Sequence, residues 1–371
     1  MHTRYVLSFF VYLFGMCGLY AQQKPAYKVP AAVPGLGRAQ MECIASHVWK
    51  YPEGTELSVA LLRNDSVFFY GIQRKKKGFR AVENRNHAFE TGSVTKVFTS
   101  VLLSYYVAEG SLSLQTDINT IGSVRTPGVR AVSLQQLASH TSGLPRLPAN
   151  LSAAPGFSSD DPYRNYDSRL LLEALASEPF NGAGDILRLN YSNYGAGLLG
   201  YVLTEHSGLS YEDMLQRIIL QPLGMKNTTS QRKRLQVPMV YSYYPDGKPV
   251  PGWDFDALAG AGAVISTTED LALFTAACFD TASALFGLPQ RETYRQSEKL
   301  AIGLGWFLLK NDAGDVRIWH NGATAGYTSS LCIEPQNRLG VVILSNLRAY
   351  HEQSPYIDRL AMELLDAGNK P

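Results

Sequence analysis

Cysteine is scarce in this 371-residue chain: there are four, Cys17 in the apolar amino-terminal run and Cys43, Cys278 and Cys332 far apart from one another. Three widely separated cysteines exclude a disulfide framework. Each lies in an apolar pattern, where a free thiol packs as a small hydrophobe. There is no His-Glu-x-x-His and no Cys-x-x-Cys, and the seven histidines are scattered, so a metal site is unsupported. Neither sign of charge dominates. With 34 Lys and Arg against 32 Asp and Glu, for a net charge of +2, the electrostatic footprint of a nucleic-acid binder is missing. The longest basic run, Arg74-Lys75-Lys76-Lys77-Gly78, fits a solvated hairpin loop. No Gly-x-Ser-x-Gly elbow of the Ser-His-Asp hydrolases occurs. Nothing points to a nucleotide, flavin or other cofactor.

The composition, 45% hydrophobic and 18% charged, is that of a globular protein large enough for one domain or two intimate lobes. Residues 1–21 have the form of a signal peptide: a basic start at Met1 to Arg4, an apolar run from Tyr5 to Leu19, and a cleavage site at Leu19-Tyr20-Ala21. The apolar run is shorter than the ~20 residues of a spanning helix. The expected product is an exported mature chain, residues 22–371, periplasmic or secreted and without a stable membrane span. Phe14 and Met16 fit a lipoprotein signal poorly, so a lipid anchor on Cys17 is not expected.

Apolar spacing predicts a helix from Met41 to Trp49, then a hairpin of Leu57–Leu61 and Val67–Tyr70 around Asn64-Asp65. A short strand at Ala88-Phe89 and a buried helix from Ser93 to Gly110 follow. Between about 111 and 262 helical pieces at Leu170–Leu175, Ala196–Leu203 and Tyr211–Leu220 alternate with long loops. Thr267-Thr268-Glu269-Asp270 has helix-capping chemistry. Strands return at Gly303–Lys310, Val316–His320, Tyr327–Ile333 and Leu339–Leu344, and a last amphipathic helix carries Ile357, Leu360, Ala361, Leu364 and Leu365. The implied architecture is α/β of the α+β type. An antiparallel sheet built from both chain ends (about 38–110 and 263–368) is flanked by helices and carries an inserted α-rich lobe (about 111–262), with a substrate cleft between.

Three stretches carry chemistry. Ser93 and Lys96 stand three residues apart at a helix start, where free N–H groups favour developing negative charge and the amine reaches the hydroxyl. A lysine among apolar neighbours can take a proton near neutral pH, which makes Ser93 a candidate nucleophile. Ser-x-x-Lys alone arises by chance about once in a chain this long. Asn190-Tyr191-Ser192-Asn193 offers a phenol that can relay protons and an amide that can orient a substrate, and Tyr163-Arg164-Asn165 competes for the same part. Trp319-His320-Asn321-Gly322-Ala323 leaves a strand through a histidine and a glycine that permits close backbone approach. His206-Ser207-Gly208 and Lys76-Lys77-Gly78 are spelled similarly but do not continue into a second glycine and a strand.

Ser93-Val94-Thr95-Lys96, Tyr191-Ser192-Asn193 and His320-Asn321-Gly322, in this order and 98 and 227 residues from Ser93, resemble the penicillin-recognising serine hydrolases, and among them the class C β-lactamase family with its DD-peptidase and esterase relatives. Ser139-His140-Thr141-Ser142-Gly143-Leu144-Pro145 and Gln221-Pro222-Leu223-Gly224-Met225 add to the likeness, which spans roughly Met41 to Leu365. The resemblance implies that Ser93 is acylated and that Lys96 and Tyr191 share the general-base role. It implies that Asn193 holds the acyl side-chain amide and that the N–H groups of Ser93 and Ala323 form the oxyanion hole. His320, Asn321, Gly322 and Ala323 would line the substrate. His140 is expected to brace its loop. The family's β-lactamases have Lys-Thr-Gly where this chain has His320-Asn321-Gly322. A histidine titrating near neutrality gives the carboxylate-binding charge only part of the time. The expected substrate is a β-lactam or a D-alanyl-D-alanine-type peptidoglycan peptide. The alternatives are a small ester or D-amino-acid peptide, or service as a non-catalytic penicillin sensor. No further partner or oligomeric state follows.

Overall fold

The computed structural model describes residues 28–30, 33, 35–126, 131–178, 188–311, 314–349 and 351–368; residues 1–21, expected to form a signal peptide, lie outside them with Cys17. The chain opens with α1 (Arg38–Val48), then β1 (Glu56–Arg63), β2 (Ser66–Lys75) and β3 (Gly78–Ala81). A short β4 (Phe89–Glu90) leads to α2 (Thr95–Ala108). The helical middle follows as α3 (Leu134–Ala138), α4 (Ser168–Ser177), α5 (Asn193–Ser207), α6 (Tyr211–Leu215), α7 (Gln221–Leu223) and α8 (Ala259–Gly262). Then come β5 (Ile265–Ser266), α9 (Thr268–Ala277), β6 (Tyr294–Arg295), β7 (Leu300–Ile302), β8 (Phe307–Lys310), β9 (Val316–Ala323), β10 (Thr328–Glu334), β11 (Leu339–Ser345) and α10 (Tyr356–Gly368).

The main sheet has nine strands in the order β3-β2-β1-β11-β10-β9-β8-β7-β6, all antiparallel. The first and last thirds of the chain meet at β1 and β11, where Val59 faces Ile343 and Leu61 faces Val341. Both sheet faces are covered, so these strands lack the polar-out alternation of a half-exposed sheet. Leu57, Val59 and Leu61 of β1 and Val341 and Ile343 of β11 pack against Met41, Ile44 and Val48 of α1 and Ile357, Leu360 and Leu364 of α10. The alternate residues, Ala60, Leu62, Val342 and Leu344, face a second cluster that includes Phe98 of α2 and Phe274 of α9, whose rings stack at 4.1 Å. Each buried Val, Leu, Ile, Met or Phe among them contributes about 1.5–3 kcal/mol.

The caps read from the sequence are in place: Thr267 Oγ1 accepts the Asp270 N–H at 3.1 Å at the start of α9. Some expectations change. The strand expected from Gly303 begins only at Phe307, because Gly305 turns in the left-handed region (φ 66°) and presses on α2; a Cβ there would lie 2.7 Å from the Lys96 carbonyl oxygen. The helix expected over Tyr211–Leu220 is interrupted by a π turn at Gln216–Leu220. Among the described residues, Cys43, Cys278 and Cys332 are free. Cys278 and Cys332 are buried, while Cys43 Sγ and His47 Nε2 of α1 both meet Glu363 Oε2 of α10, at 3.5 and 2.9 Å. These three ligand-type atoms lie within 4.8 Å of one another and tie the two outer helices together. No helix among the described residues is long and apolar enough to cross a membrane.

Candidate active site

Ser93 stands in a 3₁₀ turn (Gly92–Val94) that runs directly into α2. Its entry needs glycine twice. Gly92 has φ 51°, a conformation that side-chain-bearing residues rarely take. On the facing strand, a Cβ on Gly322 would lie 1.9 Å from the Thr91 carbonyl oxygen and 2.8 Å from the Ser93 nitrogen, and one on Gly92 would lie 2.6 Å from the Ala323 nitrogen. The end of β9 therefore abuts the start of α2 backbone to backbone, with the N–H groups of Ser93 and Ala323 in the same small region. Ser329 Oγ donates to the Thr91 carbonyl at 2.7 Å and fixes the junction.

Lys96 is 2% exposed, and its Nζ has three neighbours: Ser93 Oγ at 2.8 Å, Asn193 Oδ1 at 2.9 Å and the Ala261 carbonyl oxygen of α8 at 2.8 Å. Among the described residues no carboxylate pairs with it. Burial first, and the positive charge of Arg146 second, hold the amine well below the usual lysine range. Tyr191 is hydrogen-bonded with Ser93, and burial of its hydroxyl pushes it up to about 12. The structure thus brings Ser93, Lys96, Tyr191 and Asn193 together. A desolvated hydroxyl holds its proton at neutral pH, so Tyr191 stands beside Ser93 as a phenol.

Asn193 is the first residue of α5, whose N-terminus is capped by Ser192 Oγ accepting the Gly195 N–H at 2.8 Å. The Asn193 Nδ2 group donates to Tyr163 Oη at 3.0 Å. The competing Tyr-x-Asn stretch therefore also reaches the site, with Tyr163 supporting Asn193 and stacked on Phe255 at 4.5 Å. His140 braces its loop as expected: its carbonyl accepts the Asn190 N–H at 2.8 Å, its Nδ1 accepts the Ser192 N–H at 3.2 Å, and its ring lies 4.4 Å from that of Tyr191.

Two expectations for β9 are overturned. His320 is fully buried, and desolvation, with the charge of Lys96, lowers it to about 3. Its Nδ1 lies 2.6 Å from the Asn321 carbonyl oxygen, so Nδ1 carries the proton and Nε2, which has no partner, is a bare acceptor. In this arrangement the imidazole is neutral at pH 7. Asn321 does not face the site at all. Side chains alternate across a strand, so His320 shares the α2 face with Ile318, whereas Asn321 points with Trp319 to the α10 face, where its Nδ2 donates to Asp358 Oδ2 at 2.7 Å.

Sequence reasoning missed the Ala261 carbonyl, which no side-chain motif announces, and Arg146, whose guanidinium lies 5.3 Å from the Tyr191 ring centre. The only available signal for Arg146 was its position directly after Leu144-Pro145 in the recognised stretch.

The family model described as Beta-lactamase matches residues 50–366. The D-alanyl-D-alanine-carboxypeptidase/endopeptidase AmpH of Escherichia coli (strain K12) is 25% identical over 376 residues, covering 92% of each chain. A beta-lactamase of Yersinia enterocolitica is 25% identical over 319 residues, covering 75% of this chain and 78% of its own. Among solved structures, a class C beta-lactamase superposes with a TM-score of 0.72 at 21% identity, over 90% of this chain and 96% of its own, a likeness of fold.

Proposed function

We propose, from the premise that this chain belongs to the beta-lactamase family and is a serine hydrolase, that it is exported and works through an acyl-enzyme on Ser93, cleaving D-alanyl-type peptides or β-lactams. The observation that carries this is the set of contacts around Lys96. A neutral amine has two N–H donors and one lone pair. The Asn193 Oδ1 and Ala261 oxygen atoms can only accept, so they take both donors, and the lone pair is left for the Ser93 hydroxyl 2.8 Å away.

In this reading Lys96 removes the Ser93 proton as Oγ bonds to the substrate carbonyl carbon. The carbonyl oxygen takes up the negative charge beside the N–H groups of Ser93 and Ala323. Tyr191, a neutral phenol beside Ser93, gives its proton to the leaving nitrogen as the carbon–nitrogen bond breaks, and regains one from the protonated Lys96. Water then attacks the ester carbonyl as Lys96 accepts its proton, and Lys96 returns that proton to Ser93 Oγ as the ester carbon–oxygen bond breaks and the acid leaves. Asn193 can hold the acyl amide by exchanging its Tyr163 contact for the substrate.

The neutral His320 favours a second reading, an esterase or D-amino-acid peptidase whose substrates need no anchor for a leaving-group carboxylate. The two are separated by kcat/KM for a D-alanyl-D-alanine tripeptide, a chromogenic cephalosporin and a short-chain nitrophenyl ester on the mature protein. The first reading predicts preference for the peptide or cephalosporin, and preference for the ester selects the second. A long-lived adduct without turnover would indicate a penicillin sensor.

A further inference from the structure

Arg146 is a cation at this site without an acid. Its carbonyl oxygen accepts the N–H groups of Asn193 (3.0 Å) and Tyr194 (3.2 Å), which fixes its loop to the start of α5. Its side chain is exposed and lies against the Tyr191 ring. Nearby arginines are consumed structurally: Arg164 pairs with Asp161 and Asp254, and Arg232 with Glu90 and Asp254. Among the described residues, no carboxylate pairs with Arg146 in the same way. Its field instead falls on Lys96, His140 and Tyr191. The other groups with cationic capacity here are spent: Lys96 is buried and fully bonded, and His320 is neutral with an acceptor nitrogen.

We propose that Arg146 binds a carboxylate on the acyl-donor half of the substrate, so that the enzyme selects acyl groups carrying a negative charge a few bonds from the scissile carbonyl; this rests on the Ser93 acyl-enzyme reading. The choice of half follows from Asn193. The residue that would hold the acyl amide is bonded through its own N–H to the Arg146 carbonyl, so both side chains leave one short stretch of structure. A guanidinium at the rim meets a carboxylate with paired, charge-assisted hydrogen bonds.

Benzylpenicillin and carbenicillin share the ring carboxylate and differ by one carboxylate on the acyl side chain. Acylation rate constants for both are measured by intact mass on the mature protein, Arg146→Ala and Arg146→Glu. Dissociation constants for both are measured in the Ser93→Ala background with and without the Arg146 changes. The carbenicillin-to-benzylpenicillin ratio is expected to fall about tenfold in Arg146→Ala and further in Arg146→Glu. Loss of the Arg146 charge also lets Lys96 hold its proton more tightly, which slows both drugs alike and leaves the ratio untouched; a merely structural role would do the same. A ratio that stays within about twofold across the variants overturns the proposal. If wild type forms no adduct with either drug, the acyl-enzyme reading fails, and the dissociation-constant ratio decides on Arg146 separately: a selective loss of carbenicillin upholds it, and equal changes or no binding of either overturn it.

Discussion

Replacing Lys96 by methionine keeps the length and apolar stem of the side chain and removes only the amine. The amine's one chemical contact is Ser93 Oγ at 2.8 Å; its other two are the structural acceptors Asn193 Oδ1 and the Ala261 carbonyl oxygen. Loss of a positioned proton acceptor costs about 10²–10⁴ in rate, or roughly 3–5 kcal/mol of barrier. Stability is pulled both ways. Two acceptors lose their donor, at about 1–3 kcal/mol each, while the desolvated amine that burial holds below its usual range is no longer present. The melting temperature should stay within a few degrees, so that inactivity is not unfolding. The pH profile adds a second check. Because the folded-state value of Lys96 lies below the unfolded one, the folded chain binds fewer protons. Wild-type stability therefore falls as pH drops from the unfolded lysine value of about 10.4 towards the folded value. Acylation of wild type should rise with pH through that lowered value, and Lys96→Met should lack this limb. Stopped-flow acylation across pH, with thermal melts on the same samples, measures both. Acylation within tenfold of wild type, or an unchanged acid limb, would refute Lys96 as the base.

Three further outcomes follow from the same geometry. Asn321→Ala strips Asp358 Oδ2 of its donor on the far face of the sheet; it should cost about 1–3 kcal/mol in denaturant unfolding and leave acylation per folded molecule within about twofold, and a larger kinetic loss would return Asn321 to the site. Asp358 is raised to about 7 by burial, against the Asn321 hydrogen bond, and its Oδ1 has no partner. Its folded state keeps the proton that the unfolded chain loses near pH 4, so stability falls between those values, by at most about 4 kcal/mol above pH 7. Asp358→Asn should melt higher than wild type at pH 8 with the gap closing below pH 4, and parallel curves would contradict the buried carboxylate. Gly322→Ala forces β9 off Thr91 and Ser93 and should slow acylation by about 10²–10³ while thermal melting still shows a cooperative fold; near-normal acylation would mean that the Ala323 N–H does not serve the oxyanion.

The Ser93–Lys96 pair was legible because helical spacing is local: three residues along a helix bring the two side chains to one face whatever the rest of the chain does. The sheet from both termini was likewise readable from runs such as Leu57–Leu61 and Leu339–Leu344, whose partners the topology then supplies. Tyr191 and Asn193 needed the order of motifs, since a second Tyr-x-Asn at Tyr163 was available, and both stretches turn out to converge on Asn193. His320 was misjudged because its charge depends on burial and on which ring nitrogen meets a carbonyl, neither of which is written in the residue type. Asn321 could have been placed by strand alternation alone, since it follows His320 in a strand whose next residue on its own side, Trp319, is a core aromatic. Arg146 belongs to no chemical motif, and only its place beside Tyr191 makes it visible.

The most direct test of the account is an intact-mass time course of the mature protein with benzylpenicillin beside Ser93→Ala. The account predicts a covalent adduct of one penicillin per chain on wild type and none on the variant, with peptide mapping placing it on the segment that contains Ser93. An adduct of equal yield on Ser93→Ala, or one mapped to another residue, would contradict the assignment of Ser93 as the nucleophile.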